Sequence, residues 1–181
     1  MQLSNIEPNR LHGFDPDALQ RARTEIEYLR RWYAVATDAL GKADEPQSID
    51  EGKRIYHRIF TADAEVDVVG GEGEPLQATG PDGWAAVAMK ALQEYEATQH
   101  LIGTQVVDVL ELETAGDGTE PVKGRAVMNS YLQAWHAWPD QRMRLVLGTY
   151  TDHLRYVPSI GWQIEKMTLT YVSGEERMLG S

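Results

Sequence analysis

Apolar positions recur at intervals of three and four between Asp17 and Leu40. Leu19, Ala22, Ile26, Leu29, Tyr33 and Ala36 share one face, which predicts an amphipathic helix with a single buried stripe. Asp15-Pro16-Asp17 reads as its start, because Asp15 can cap and Pro16 suits the first helical position. Gly41 is the expected stop. Lys42 to Ser48 is polar with a proline and reads as a loop, and Ile49 to Phe60 as a second, shorter helix with Ile55, Ile59 and Phe60 inward. The period then changes to two. Ala64 to Val69 alternates and predicts a strand, Gly70 to Pro75 a turn, and Leu76 to Thr79 a return strand. Gly80-Pro81-Asp82-Gly83 opens a third helix that is expected to run to about Glu96.

The second half is β-type throughout. Thr98 to Leu112, Val122 to Trp138, Gln141 to Val157 and Gly161 to Tyr171 are long runs rich in Val, Thr, Tyr and Trp. The breaks at Thr114–Pro121, Pro139-Asp140 and Pro158–Gly161 are short, so the runs are joined as hairpins in an antiparallel meander. Several runs are apolar on both faces, so one face can pack on helices while the other lines a pocket or a subunit contact. Helices precede sheet, which makes the fold class α+β: a curved, mixed, mainly antiparallel sheet wrapped around three helices as a cone. One domain is expected over the 181 residues, with an arm at 1–14 and a tail at 173–181.

Composition narrows the function classes. Hydrophobic residues at 42% and charged residues at 25% exclude disorder. The absence of cysteine excludes a disulfide framework, zinc–thiolate and iron–sulfur sites, and a thiol nucleophile. Seventeen Lys and Arg against 28 Asp and Glu give a net charge of −11, and no basic run interrupts it, which argues against nucleic acid and anionic membrane as partners. The opening MQLSNIEPNRLHGF lacks the marks of a signal peptide and no stretch reaches the roughly 20 apolar residues of a membrane span, so a soluble cytoplasmic protein is expected. His12, His57, His136 and His153 form no metal-ligand spacing. There is no phosphate loop and no Gly-x-Ser-x-Gly elbow. Neither a metal nor a cofactor is expected.

Several local phrases, in order, carry a resemblance. They are Tyr33-Ala34-Val35-Ala36-Thr37-Asp38, Phe60-Thr61-Ala62-Asp63-Ala64, Thr98-Gln99-His100-Leu101-Ile102-Gly103-Thr104, Gly148-Thr149-Tyr150-Thr151-Asp152 and Gly161-Trp162-Gln163-Ile164. Together they resemble the SnoaL-like branch of the nuclear-transport-factor-2-like superfamily, over about residues 17–172. Within it the chain is similar to scytalone-dehydratase-like enzymes, bile-acid dehydratases and a dehydrochlorinase. Those use an acid at the end of the first helix and a histidine at the start of a strand, places matched by Asp38 and His100. Bile-acid dehydratases add a tyrosine five residues before the acid, matched by Tyr33. The dehydrochlorinase has an arginine five residues after the tryptophan of the last strand, where this chain has Met167. The superfamily also holds non-catalytic members, so the fold alone assigns no reaction.

The resemblance implies a cofactor-independent lyase or isomerase acting on a hydrophobic, polycyclic or aromatic small molecule. His100 would be the general base, Asp38 its orienting partner and Tyr33 a polar assistant, since a carboxylate fixes an imidazole's tautomer and stabilises its charged form. Tyr33 also lies on the buried stripe, where a core aromatic is the alternative. Asn129 and Tyr131 share a strand face and can reach a substrate if that face lines the cone; otherwise they are sheet-surface or subunit-contact residues. Trp84 is placed as an apolar wall, and Met167 in the substrate pocket. The alternatives are a non-catalytic binding or assembly module, or an accessory β-type subunit of a ring-hydroxylating dioxygenase. The open sheet face is expected to pair copies as a homodimer or homotrimer.

Overall fold

Asp15 caps the first helix: its Oδ1 accepts the backbone N–H of Asp17 at 3.1 Å and of Ala18 at 2.9 Å. The computed structural model describes residues 13–42, 44–71, 74–116, 118 and 120–178. The elements run α1 (Pro16–Leu40), α2 (Pro46–Ile59), β1 (Phe60–Val69), β2 (Leu76–Thr79), α3 (Gly80–Leu92), β3 (Ala97–Thr114), β4 (Pro121–Ala137), β5 (Arg142–Val157) and β6 (Gly161–Met178). Of the expected N-terminal arm, residues 1–12 lie outside the described residues, as do parts of the Gly70–Pro75 and Thr114–Pro121 turns. Every residue of the expected α1 stripe is buried.

Several boundaries differ from expectation. The first strand begins at Phe60 rather than Ala64, so Phe60 is not the end of the second helix but pairs with Ile164 in the sheet. The second helix begins at Pro46 rather than Ile49, because proline fits a first helical turn whose N–H needs no partner. The third helix ends at Leu92, short of Glu96, whose N–H joins the sheet by donating to the Ala137 carbonyl at 2.8 Å. The expected tail at 173–181 is strand as far as Met178, pairing from Ser173↔Leu147 to Met178↔Arg142. Without that extension the first half of β5 would have a strand on one side only, leaving its outward backbone groups unpaired.

The sheet is open, with strand order β2-β1-β6-β5-β4-β3. β1 lies parallel to β6 and all other neighbours are antiparallel. Strand alternation separates its faces. On β4, Ala126, Met128, Ser130, Leu132 and Ala134 are buried, and Ala126, Met128, Leu132 and Ala134 belong to the same core cluster as the helix stripes. The other face carries Arg125, Val127, Asn129, Tyr131, Gln133 and Trp135, with Leu101, Tyr131 and Leu147 exposed. Helices α1 and α2 meet closely at Gly52, where a Cβ would stand 2.8 Å from the Ala36 carbonyl oxygen.

The cone interior is filled rather than empty. Arg30 of α1 is wholly buried and donates from Nε to Asp152 Oδ2 at 3.1 Å, while Nη2 contacts Asp152 Oδ1. Its guanidinium lies 4.4 Å from the Tyr33 ring centroid and 3.9 Å from that of Tyr150. Tyr33 stacks on Tyr56 at 5.5 Å, and the Tyr56 hydroxyl lies 2.7 Å from Thr37 Oγ1. Burial pushes the Tyr56 and Tyr150 hydroxyls well above the usual tyrosine range, so both stay neutral. Burial also raises the Asp152 carboxyl, an effect that Arg30 opposes. Removing one member of such a pair strands the other charge. Asp152→Ala is therefore expected to cost about 3–5 kcal/mol in urea unfolding, whereas joint Arg30→Met and Asp152→Leu replacement recovers most of the loss. A single variant no less stable than the double one would contradict this.

Candidate active site

Asp38 lies in the last turn of α1, where the carbonyl end of the helix disfavours a carboxylate. Donors from β3 offset that placement. Asp38 Oδ1 accepts from Thr98 Oγ1 at 3.0 Å and lies 2.7 Å from His100 Nδ1, and Oδ2 accepts the backbone N–H of His100 at 3.1 Å. β3 is an edge strand, so alternate N–H groups face away from β4, and Asp38 takes one of them. The same carboxylate thus holds both the backbone and the ring of His100.

An ionised carboxylate only accepts, so the proton on neutral His100 sits on Nδ1 and the lone pair on Nε2. The His100 side chain is 8% exposed and that of Asp38 is 25% exposed. A partly dehydrated imidazole with one nitrogen tied to a carboxylate can take a proton at the other and share the resulting charge.

His136 stands beside this pair. Its ring centroid is 5.6 Å from that of His100, edge to face, and 4.8 Å from that of Tyr95. It is buried, and its Nδ1 has no hydrogen-bond partner among the described residues. Burial, followed by the neighbouring His100, pushes its pKa down to about 4, so it is neutral near pH 7. His136 also lines a basin of about 520 Å³ that includes Tyr95, Arg144, Val146 and Tyr171. Asp38 and His100 do not line this basin; His136, whose ring meets that of His100, does.

The remaining expected site residues are dispersed. Tyr33 is not at the dyad: it is a buried core aromatic whose hydroxyl accepts the indole N–H of Trp84 at 3.2 Å. Five residues turn the helix by about 140° beyond a full circle, which sets Tyr33 and Asp38 on different faces. Trp84 is buried in the same cluster, a wall of the packed core rather than of the basin. Met167 is also buried, and its sulfur accepts from Arg30 Nη1 at 3.4 Å. A guanidinium thus reaches the place where the resemblance calls for arginine, but it comes from α1 and is engaged by Asp152. Asn129 and Tyr131 lie on the sheet face away from the helices, and Asn129 Oδ1 accepts from Thr151 Oγ1 at 3.0 Å. Alternation sends them outward while it sends His136 inward. In the sequence, His136 stands out only as a histidine outside any metal-ligand spacing. Its parity with Ala134, the partner of His100 in the β3–β4 pairing, was the available signal, but the register of that pairing is not written in the sequence.

The family model described as a SnoaL-like domain matches residues 21–168, and the chain belongs to that family. No curated protein matches it by sequence. The chain is similar to the solved Kfla4162 protein of Kribbella flavida, with 21% identity, TM-score 0.66, and coverage of 87% of this chain and 95% of that one. It is also similar to a putative scytalone dehydratase of Novosphingobium aromaticivorans, at 18% identity, TM-score 0.61 and coverage of 90% of each chain. A hexachlorocyclohexane dehydrochlorinase of type 2 shares 15% identity at TM-score 0.63, over 90% of this chain and 93% of that one. These likenesses, together with an NTF2-like protein of cystatin-like fold, establish the α+β cone architecture.

The His136 shift has a signed consequence. Above the ordinary value of 6.5 the ring is neutral folded or unfolded; between 6.5 and about 4 only the unfolded chain gains the proton. Stability is therefore lost as pH falls through that window. Urea unfolding at pH 7 and pH 5 is expected to show wild type losing about 2 kcal/mol more than His136→Gln. Equal losses would mean that His136 is not held neutral.

Proposed function

We propose that this protein is a cofactor-independent lyase or isomerase that removes a proton from a hydrophobic small molecule, with His100 as general base and Asp38 as its orienting partner. The observation that carries this reading is the 2.7 Å contact between Asp38 and His100 Nδ1, which leaves Nε2 free to accept. The substrate enters by the basin beside His136, where the neutral His136 ring and the Tyr95 and Tyr171 rings offer aromatic surface and Glu74, Arg144, Glu175 and Glu176 add charge. The proton passes to His100 Nε2 and the C–H electron pair forms the new double bond; then a hydroxyl on the adjacent carbon departs as water with the proton that His100 gives back, or a double bond already there shifts and its far carbon takes that proton. The likeness to a putative scytalone dehydratase and to a dehydrochlorinase supports chemistry of this class.

A binding-only reading has one observation in its favour. Neither Asp38 nor His100 lines the basin, and Arg30, Asp152 and three tyrosines fill the interior. On that reading the basin holds a ligand without chemistry.

A model reaction separates the two. 5-Nitrobenzisoxazole is flat and apolar, and loss of its ring C–H proton to any positioned base breaks the N–O bond and releases a coloured cyanophenolate. Wild type is expected to accelerate this opening above buffer, and His100→Gln and Asp38→Asn to reduce the enzymatic rate by about 10²–10⁴-fold and by a smaller factor, respectively. Full activity in His100→Gln would remove His100 from the role. No acceleration by wild type, with binding intact, would favour the ligand-holding module.

A further inference from the structure

A larger cavity, about 790 Å³, opens between α1 and α2 and is bounded at one end by the β5–β6 turn. Its volume is that of a small-molecule site. It is separate from the dyad: neither Asp38 nor His100 lines it, and Trp32 on its rim precedes Asp38 by six residues of α1, about 9 Å along the axis. Helix periodicity creates it. Leu29 of α1 and Ile55 and Ile59 of α2 form an apolar floor with Trp162 of β6. Tyr28 and Trp32, one turn apart, stand at the rim edge to face at 6.0 Å, and both are exposed. Large aromatic side chains left open beside an apolar floor are a recurring mark of a ligand surface.

The charged groups of the groove identify what would fill it. Arg54 is engaged, donating from Nε to Glu51 Oε2 at 2.7 Å. Arg58 is exposed and, among the described residues, has no carboxylate within 4 Å. It stands against the turn, where a Cβ on Gly161 would lie 3.2 Å from Arg58 Nη2. Glu25 lines the groove as well, and burial raises its pKa. Glu25 and Arg58 attract each other across the groove, yet among the described residues no ion pair joins them, so Arg58 is the cation of the groove without a close carboxylate.

We propose that this groove is a second ligand site, separate from the dyad, that takes an amphipathic organic anion. A flat apolar body would lie on Leu29, Ile59 and Trp162 beneath Tyr28 and Trp32, and a carboxylate would meet Arg58. Planar carboxylates suit guanidinium because two N–H donors can engage both oxygens.

The test is a titration with 2-naphthoate against its neutral counterpart 2-naphthalenemethanol, followed by quenching of tryptophan fluorescence, since Trp32 and Trp162 both line the groove. Saturable binding of 2-naphthoate by wild type is expected. Arg58→Gln should weaken naphthoate by about three- to tenfold and leave the alcohol unchanged, while Arg58→Lys keeps part of the preference. Glu25→Gln should tighten naphthoate by about twofold, through loss of a repelling charge. Asp38→Asn should bind it as wild type does, so failure of the dyad reading and failure of this one are distinguishable. Equal affinity for acid and alcohol, an unaltered Arg58→Gln, or no saturation in wild type would overturn the proposal. So would a dimer that Trp32→Ala dissociates and naphthoate does not, because the groove would then hold a second copy.

Discussion

The carboxylate of Asp38 ties the end of one helix to the edge of the sheet. It accepts the backbone N–H of His100, the hydroxyl of Thr98 and a ring proton of His100, so β3 cannot move relative to α1 without breaking all three contacts. A charge at the disfavoured end of a helix and an unpaired strand edge are each unfavourable alone. Set against each other they cancel, and the imidazole is oriented in the process. The proposed chemistry therefore follows from how the helix is joined to the sheet.

The interior shows how differently the same architecture can be filled. The cone is closed by Arg30, which is paired with Asp152 and held between the rings of Tyr33 and Tyr150. A charge so fully engaged offers nothing to an external anion, and its neighbour Met167 offers only a sulfur contact. The open spaces lie instead outside that packed interior: the basin beside His136 and the groove between α1 and α2 around Tyr28 and Trp32. The basin reaches the dyad only through the ring contact of a second, neutral imidazole, His136.

Much of the architecture was legible because periodicity is local. The α1 stripe, its Asp15 cap and the four long strands follow from the spacing of apolar residues and from turn residues. Boundaries failed where a tertiary partner decided them, as at residues 173–178, which look like a polar tail until β5 requires a neighbour. The approach of Asp38 to His100 was expected only through resemblance, because 62 residues separate them and no local pattern joins them. The outward turn of Asn129 and Tyr131 and the inward turn of His136 depend on which face of β4 meets the helices. Alternation makes that a choice between two, and the sequence alone does not make it.

The proposed chemistry requires Asp38 to hold His100 with its proton on Nδ1 and its lone pair on Nε2. Nitrogen-15 NMR of histidine-labelled protein measures this directly, with His100→Gln used to assign the signal. Wild type is expected to show the Nδ1–H tautomer for His100, and Asp38→Asn a mixed or inverted one. An Nε2–H tautomer in wild type, or the same spectrum in Asp38→Asn, would contradict it.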